Sequence, residues 1–423
     1  MRLKSLLITA FYILVSLYGY SQDLTVVSPE SVGLSAERLD RLESRFQEYV
    51  DDNKMSGCVM LVARKDQVAY YQSVGYSDLE KKTEMKNDAI FRIASQTKAI
   101  ISVGIMILQE EGKLLIQDPV SKYIPEFAET TVAEVQEDGS YKVVPAKRQI
   151  TIRDLLTHTA GIGYGWGPAK DQWEAAGIQG WYFANRDEPI AETVKRMAAL
   201  PMDAQPGEKW VYGYSVDILG VIIEKASGLT LDKFLEEKLF NPLGMKDTHF
   251  YLPKSKKDRL ATVYNPKKDG TIEPAPKEGT MNSQGAYVDG PRKSFSGGAG
   301  LLSTAKDYYL FLQMLENEGV LGGKRILAPS TVNLMTVEHL PDYVSFRGDA
   351  EGFGLGFNVV TDTGQRGFPG SVGEYGWGGA YGSTYWVDPE EELVVVYFVQ
   401  LRPGSIEKDQ LQLRALIYQA IID

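Results

Sequence analysis

A nearly continuous apolar run at residues 99–108 predicts one helix that is buried on all sides. The run is too short to span a membrane, and Gly112 is placed to end the helix. An extended segment, residues 86–94, leads into it. The first turn nevertheless carries two polar residues, Ser95 and Lys98, which are three positions apart and therefore share one face. The pattern thus indicates a sizeable domain with a polar pair at one end of its central helix.

The N-terminal region predicts an amphipathic helix followed by a β-hairpin. Ser35 is a suitable N-cap, and apolar residues follow it at helical spacing. Two apolar segments, residues 58–63 and 68–74, flank a polar turn at residues 64–67, which is the pattern of a hairpin. The apolar positions of the helix are Leu39, Leu42, Phe46 and Val50.

The middle of the chain, residues 113–290, has short helical stretches separated by loops rich in proline and glycine. Two polar segments, residues 129–149 and 254–296, are expected as surface excursions. The segments 161–168 and 173–183 are rich in glycine and aromatic residues, and either form a pocket wall or are held on the body of the protein by their rings. The helical stretches are residues 152–156, 190–200, 215–226 and 231–239.

The last third of the chain is regular again. Thr304 and Asp307 predict a capping box that opens an amphipathic helix through Glu316. A closing helix is expected at residues 410–422. The strand candidates are residues 355–360, 382–387 and 393–400.

Strands at both ends with helices between them predict an α+β fold. We expect an antiparallel sheet built from N- and C-terminal segments and flanked by helices, together with an all-helical inserted domain. The sheet domain is expected to be discontinuous, with residues 22–94 and 291–423. The mainly helical domain is expected at residues 95–290 and carries both Ser95 and Lys98.

The composition fits a globular protein and argues against a nucleic-acid partner. The chain has 423 residues, of which 43% are hydrophobic and 24% charged, and its formal net charge is −11. Because no basic residues cluster, we expect no nucleic-acid partner.

Residues 1–21 have the pattern of a secretory signal. A charged start precedes an apolar middle at residues 5–18, and small residues stand before an expected cleavage site ahead of Gln22. A membrane anchor is the alternative interpretation, but the apolar run is short and no positive stop follows it. We therefore expect an exported protein, periplasmic or extracellular, with no stable membrane anchor after the signal is removed.

Cysteine and histidine usage predicts neither a disulfide nor a metal site. Cys58 is the only cysteine and lies in an apolar strand pattern, where a packed thiol is expected. His158, His249 and His339 are far apart and show no metal-ligand spacing. We expect no metal and no other cofactor.

The Ser95–Lys98 pair has two interpretations. The positive end of the helix dipole and burial both disfavour the charged form of an amine, so Lys98 would act as a base toward the Ser95 hydroxyl. The Ser95 N–H, at a helix N-terminus, would be free to face an oxyanion. The alternative is a capping serine beside a surface lysine, because this spacing occurs often by chance.

Two later stretches supply a proton-transfer group and a second oxyanion donor, which the Ser95–Lys98 pair lacks. Residues 206–220 carry Tyr212 in a loop that leads into a helix, where a phenol beside a lysine would shuttle protons. Residues 376–386 are a glycine-rich strand that allows close approach of a substrate, with the Ala380 N–H as second oxyanion donor. The alternatives are an ordinary packed tyrosine and a sheet edge that uses glycine for twist.

With these motifs in order, the chain resembles the serine β-lactamase and penicillin-binding-protein family, close to class C β-lactamases and closer to their esterase relatives. Ser95-x-x-Lys98 matches the first family motif, Tyr212 matches the tyrosine of the second, and Trp377-Gly378-Gly379 stands in place of Lys-Thr-Gly. The resemblance covers roughly residues 25–420. Supporting stretches are residues 91–94, 150–161, 206–208 and 298–303.

Two departures from the family pattern bear on the substrate. Tyr214 stands where β-lactamases have an asparagine that helps to hold the substrate, and Trp377 stands where they have a lysine. A β-lactam carboxylate would therefore lack its cation, while neutral acyl groups would meet aromatic surface. The Trp-Gly-Gly form resembles the esterase branch, so we expect ester hydrolysis of a small-molecule substrate.

The resemblance implies a mechanism without histidine. Lys98, tuned with Tyr212, takes the Ser95 proton, and the N–H groups of Ser95 and Ala380 hold the oxyanion. Tyr212 then protonates the leaving alcohol and helps to activate water. No Gly-x-Ser-x-Gly motif is present, which argues against an α/β-hydrolase, and His158 is expected to have a structural role.

Other functions of the same machinery stay open. They are a class C-type β-lactamase, a peptidase acting on D-amino-acid peptides, an acyltransferase, and a non-catalytic binding protein that kept the fold. Tyr164 and Trp166 are expected to line an apolar acyl pocket. The sequence indicates neither the oligomeric state nor the physiological substrate.

Overall fold

The computed structural model describes residues 24–402 and 408–423, and the predicted signal, residues 1–21, lies outside the described residues. The strands are β1 (Gly57–Arg64), β2 (Gln67–Asp78), β3 (Thr83–Glu84), β4 (Phe91–Arg92), β5 (Thr131–Val135), β6 (Tyr141–Pro145), β7 (Tyr264–Pro266), β8 (Ile272–Pro274), β9 (Leu302–Ser303), β10 (Val320–Leu321), β11 (Lys324–Arg325), β12 (Glu351–Phe353), β13 (Asn358–Val360), β14 (Tyr375–Gly378), β15 (Thr384–Asp388) and β16 (Leu393–Val399).

The described residues contain all the predicted helices and four short ones that the sequence pattern did not indicate. The helices are α1 (Ala36–Asp51), α2 (Thr97–Glu110), α3 (Ile152–Leu156), α4 (Lys170–Ala175), α5 (Ile190–Ala198), α6 (Ser215–Ser227), α7 (Leu231–Leu235), α8 (Asn241–Leu243), α9 (Ala305–Glu316), α10 (Pro329–Met335), α11 (Thr363–Arg366) and α12 (Asp409–Tyr418). The four short helices without a sequence signal are α4, α8, α10 and α11. Ser35 and Thr304 cap α1 and α9 through their side chains, as predicted.

The main sheet is antiparallel and joins the two ends of the chain, which confirms the predicted fold class. Its eight strands lie in the order β12-β13-β14-β15-β16-β1-β2-β3. At the centre, β1 pairs with β16, with Leu61 opposite Val396. The predicted hairpin is β1 and β2, joined at Lys65 and Asp66, which both have positive φ.

Both faces of the sheet are covered, so its central strands are buried along their whole length. Alternate residues of β1 and β16, such as Leu61 and Phe398, belong to a large core that extends into the helical insert. The other face, with Cys58 and Tyr397, packs against α1 and α12. Cys58 is thus a packed thiol, and burial raises its pKa.

The insert is mainly helical rather than all-helical. α3, α5, α6 and α7 form where the helical pattern predicts them. The two polar surface excursions, however, contain the short hairpins β5–β6 and β7–β8. Both pairs are short and largely exposed, and they lie within segments that are polar as a whole. The division of the chain into two domains stays a prediction.

The predicted buried helix is α2, whose residues from Thr97 to Leu108 are all buried. Ser95 lies just before it, in a single 3-10 turn at residues 94–96. Ala94 has φ of 43°, a left-handed conformation that turns the chain sharply from β4 into this turn. Within residues 24–402 and 408–423, no helix combines the length and apolar character needed to cross a bilayer.

Candidate active site

Lys98 is the centre of the candidate site. It projects from the first turn of α2 and is only 2% exposed. Its Nζ lies 3.3 Å from Ser95 Oγ, donates to the Gly298 carbonyl at 2.7 Å, and lies 3.1 Å from the Tyr164 hydroxyl. The amine is therefore surrounded by uncharged oxygen atoms, one of which belongs to the predicted nucleophile.

A buried carboxyl group fixes the carbonyl that Lys98 contacts. The Gly298 N–H donates to Asp217 Oδ1 at 3.0 Å, and Ser296 Oγ donates to the same oxygen at 2.6 Å. A side chain at position 298 would run into Asp217 Oδ2, so this contact requires glycine. Burial raises the pKa of Asp217, and Lys98 partly opposes that rise. Asp217 thus lies one peptide group away from the amine.

Tyr212 packs its ring, rather than its hydroxyl, against Lys98. The ring centroid is 4.6 Å from Lys98 Nζ, within range of a cation–π contact. The Tyr212 hydroxyl accepts a hydrogen bond from Trp377 Nε1 at 3.0 Å. The structure thus brings Ser95, Lys98 and Tyr212 together, while their catalytic roles stay predictions.

Tyr164 lies at the amine rather than only in a pocket wall. Its hydroxyl is the phenolic group that hydrogen-bonds Lys98, and its ring packs edge-on against Tyr212 at 5.7 Å between centroids. Burial, followed by the neighbouring Tyr212, raises the pKa of Tyr164 well above its usual range. Trp166, its predicted partner in an acyl pocket, is 6.2 Å away between ring centroids and largely exposed.

Tyr214 does not reach the amine, which corrects its predicted place in the substrate site. It is fully buried, its hydroxyl donates to the Gly180 carbonyl at 2.8 Å, and its ring stacks on Trp173. The physical reason is size, because a tyrosine ring in this position fits among the aromatic residues of the 161–183 loop and its hydroxyl finds a partner there. Tyr214 therefore supports the loop that carries Tyr164.

The third motif ends β14 beside the nucleophile. A Cβ on Gly379 would lie 2.6 Å from the Ile93 carbonyl oxygen, so the glycine allows this backbone to pack two residues before Ser95. Gly378, in contrast, would place a Cβ at an ordinary 3.4 Å from the nearest atom. In the described chain, the N–H groups of Ser95 and Ala380 donate no hydrogen bond, so both are available to an oxyanion.

An aromatic wall borders Lys98 on one side, and Trp377 belongs to it. Trp210 stacks on Tyr212 with an interplanar angle of 9° and a centroid distance of 5.5 Å. Trp377 lies 5.5 Å from Tyr212 between centroids. We define the aromatic wall as Trp210, Tyr212, Phe346, Phe353 and Trp377, whose rings contact one another.

His158 is buried behind this wall and takes no place at the nucleophile. Its ring centroid is 4.8 Å from that of Tyr212, and neither ring nitrogen has a hydrogen-bond partner among the described residues. Burial, assisted by Lys98, holds the pKa of His158 well below its usual range. It is therefore neutral at physiological pH. No group of three or more His, Cys, Asp or Glu residues in the described chain is arranged to hold a metal ion.

The motifs missed two contacts of Lys98. The Gly298 carbonyl belongs to a run of glycine and alanine at residues 297–300, within a stretch that supports the family resemblance. Such a run could have indicated a close backbone approach, but it does not identify Lys98 as the partner. Tyr164 lies in a loop without a motif of its own. The contact of Tyr164 with Lys98 depends on the conformation of this loop. The ring of Tyr214 packs against Tyr164 and stacks on Trp173, which fixes that conformation.

Comparison with known proteins agrees with this geometry. The family model described as Beta-lactamase matches residues 42–419. The chain is 30% identical to "Esterase EstB" from Burkholderia gladioli over 382 residues, which cover 87% of this chain and 91% of that protein. It is 29% identical to a "Putative D-alanyl-D-alanine carboxypeptidase" from Escherichia coli over 396 residues, 88% of this chain and 84% of that protein.

A solved structure shares both the fold and part of the sequence. It is described as "EstCE1, a hydrolase with promiscuous acyltransferase activity", and superposes with a TM-score of 0.77 at 28% identity. The match covers 92% of this chain and 99% of the other.

Proposed function

The chain belongs to the beta-lactamase family and is a serine hydrolase, and from this premise we propose that it hydrolyses carboxylic esters through an acyl-enzyme on Ser95. The observation that carries the proposal is the distance of 3.3 Å between Lys98 Nζ and Ser95 Oγ. A serine hydroxyl becomes an effective nucleophile when a base lies within hydrogen-bond reach. Lys98 is that base.

Acylation transfers one proton and exchanges one C–O bond. Ser95 Oγ attacks the ester carbonyl while Lys98 takes its proton, and the N–H groups of Ser95 and Ala380 hold the oxyanion. When the intermediate collapses, the C–O bond to the alcohol breaks and Tyr212 gives the alcohol its proton. The proton that Lys98 took from Ser95 then replaces the one that Tyr212 gave to the alcohol.

Deacylation runs the same steps with water. Tyr212 takes a proton from water as the water oxygen attacks the acyl carbon, and its own proton passes to Lys98. The bond to Ser95 Oγ then breaks, the serine regains its proton and the carboxylic acid leaves. Apart from water, these steps use only groups of this chain.

Two observations favour an ester over a lactam or a peptide. Trp377 presents an indole where β-lactamases have a lysine, and its Nε1 already donates a hydrogen bond to the Tyr212 hydroxyl. The aromatic wall offers apolar surface to the organic parts of a substrate. The similarity to Esterase EstB and to the hydrolase EstCE1 supports the same choice.

The experiment compares kcat/KM for 4-nitrophenyl butyrate with that for a chromogenic cephalosporin. We expect the ester to be the better substrate, and faster turnover of the cephalosporin would overturn the proposal. Ser95→Ala is expected to abolish turnover and labelling by a fluorophosphonate probe. Ser102→Ala is the matched control, because Ser102 lies two turns along the same helix and its hydroxyl has no hydrogen-bond partner in the described chain.

Acyl transfer is a second candidate, because EstCE1 has promiscuous acyltransferase activity by its description. Product analysis in the presence of an added alcohol distinguishes the two outcomes, since a transferase forms a new ester in place of the free acid. A D-amino-acid peptidase, suggested by the name of the Escherichia coli relative, would instead release D-alanine from a D-alanyl-D-alanine peptide.

The pattern of residues 1–21 supports the further proposal that the enzyme acts after export, in the periplasm or outside the cell. N-terminal sequencing of protein recovered from the exported fraction is expected to begin at Gln22. Recovery of the full-length chain from the cytoplasm alone would overturn this proposal.

A further inference from the structure

One cation stands on the outer side of the aromatic wall. The guanidinium carbon of Arg347 lies 5.0 Å from the ring centroid of Trp377 and 5.0 Å from that of Phe346. Phe346 in turn stacks on Trp377 with an interplanar angle of 28°. The replacement of a lysine by Trp377 therefore does not leave this side of the site without positive charge, because another segment supplies it.

The guanidinium of Arg347 has N–H groups that are free to donate hydrogen bonds to a ligand. Its nearest carboxylate is Glu351, at 3.5 Å, and it forms no hydrogen bond within the described residues. Glu351 is held more closely by Arg366, whose Nε donates to it at 3.1 Å and whose side chain is only 8% exposed. Since Arg366 already compensates Glu351, the guanidinium of Arg347, with 56% of its side chain exposed, is available to an incoming anion.

The position of Arg347 indicates which part of a substrate it would meet. Tyr212 protonates the leaving alcohol in the proposed reaction, and its hydroxyl is bonded to Trp377, over which Arg347 lies. In that reaction, an alcohol part that leaves beside Tyr212 can extend along the wall toward Arg347. Two ring systems stand between Lys98 and the guanidinium, so the group that meets it must be several bonds from the reacting carbonyl.

We propose that Arg347 binds a carboxylate on the alcohol part of the substrate, which makes the preferred substrates esters of hydroxycarboxylic acids. This inference rests on the proposed ester hydrolysis at Ser95. A guanidinium binds a carboxylate through two parallel hydrogen bonds, and the rings of Phe346 and Trp377 beneath it shield the pair from part of the solvent. The apolar body of the alcohol packs on the wall.

The experiment uses two aryl butyrates that differ in one charge. They are 4-(carboxymethyl)phenyl butyrate and 4-ethylphenyl butyrate, and the measured quantity is the ratio of their kcat/KM values. We expect the wild type to prefer the anionic ester, and Arg347→Gln to lower the ratio about tenfold, as for loss of one charge-assisted contact. Arg347→Lys is expected to keep part of the preference, and added salt to reduce it in the wild type.

Arg41→Gln is the matched control. Arg41 is also 56% exposed and also pairs with a glutamate four positions away, at 3.9 Å, but it lies on α1. We expect this variant to keep the wild-type ratio. A ratio that Arg347→Gln leaves unchanged, or that Arg41→Gln lowers equally, overturns the inference.

A binding measurement separates this inference from the proposed function. In the Ser95→Ala background, the anionic ester is titrated by tryptophan fluorescence, and Arg347→Gln is expected to raise its Kd about tenfold. If the wild type hydrolyses neither ester, ester hydrolysis is overturned, and an unchanged Kd overturns the role of Arg347. Hydrolysis of both esters without dependence on Arg347 overturns the inference alone.

Discussion

Lys98 has oxygen partners of three kinds, and none of them is a carboxylate. They are the hydroxyl of Ser95, the phenol of Tyr164 and the carbonyl of Gly298. Together these three oxygens position the amine beside Ser95. The nearest acid, Asp217, is kept at the distance of one peptide group.

We expect Tyr164→Phe to lower kcat about tenfold for a short-chain ester. The Lys98 amine then loses a hydrogen bond that holds it at Ser95. KM is expected to change little, and the pH dependence of kcat to shift. Steady-state kinetics over a pH series measure both.

Tyr214→Phe is the matched control, since it removes the hydroxyl of a neighbouring buried tyrosine that bonds Gly180. We expect it to cost about 1 kcal/mol of stability with kcat near the wild-type value. Equal losses of kcat in the two variants would show that Tyr164 acts only through packing.

Glu316 gives a pH-dependent prediction at the end of α9. Burial, with Asp66 and Glu392 nearby, raises the pKa of Glu316 to about 7. Because the folded state holds this proton more tightly than the unfolded chain, folding stability is unimpaired below the ordinary glutamate pKa and falls as pH rises toward 7.

Glu316→Gln is therefore expected to stabilise the protein by about 1 kcal/mol at pH 8, a value reduced for solvent screening, and to have little effect at pH 4.5. Urea unfolding at the two pH values measures the difference. A gain that is the same at both pH values would mean that the titration of Glu316 is not its cause.

Sequence spacing marked Ser95, Lys98 and Tyr212 as candidates, because each lies beside a local signal, a helix start or a turn. The family resemblance then gave them their catalytic roles, which stay predictions. The contacts that complete the site come from distant backbone and loops. A carbonyl such as that of Gly298 has no side chain to mark it, and the direction of Tyr214 depends on rings that only the folded loop assembles.

At the scale of elements, the end of β14 determines how the third motif meets the nucleophile. Gly379 lies against Ile93, while the neighbouring Gly378 has ordinary space around it. The two glycines are adjacent in sequence, yet only one of them is required by a close approach.

We expect Gly379→Ala to lower kcat about a hundredfold while the protein stays folded, because the added Cβ pushes β14 and the Ala380 N–H away from Ser95. Gly378→Ala, the matched control, is expected to stay within about threefold of the wild type, since its Cβ meets only ordinary contacts. Comparable losses in both variants would contradict the role of the close approach at position 379.

Elements with a strong periodic pattern, such as α1, α9 and the β1–β2 hairpin, were predicted with nearly correct bounds. Strand β12 and the hairpins β5–β6 and β7–β8 were not. These strands have at most five residues and an edge or surface position, so pairing in the folded chain, rather than alternation of apolar residues, defines them.

At the scale of the whole molecule, the large core is continuous from the sheet into the insert. Phe398 of β16 and Leu155 of α3 are both fully buried and belong to the same cluster. A shared core couples the two predicted domains energetically, whatever their boundaries in sequence.

We therefore expect one cooperative unfolding transition. Leu155→Ala and Phe398→Ala are each expected to destabilise the protein by about 3 kcal/mol and to lower the Tm of that same transition. Differential scanning calorimetry measures it. Two transitions, each moved by only one of the variants, would instead indicate that residues 22–94 with 291–423 unfold separately from residues 95–290.

The pairing of β1 with β16 at the centre of the sheet also determines when the sheet can form during translation. A nascent chain that has left the ribosome as far as residue 390 already contains Ser95, Lys98, Tyr212 and Trp377. It still lacks the strand that β1 and β15 both need as a neighbour. Hydrolytic activity is therefore expected only after translation has passed β16, when the growing polypeptide is nearly complete.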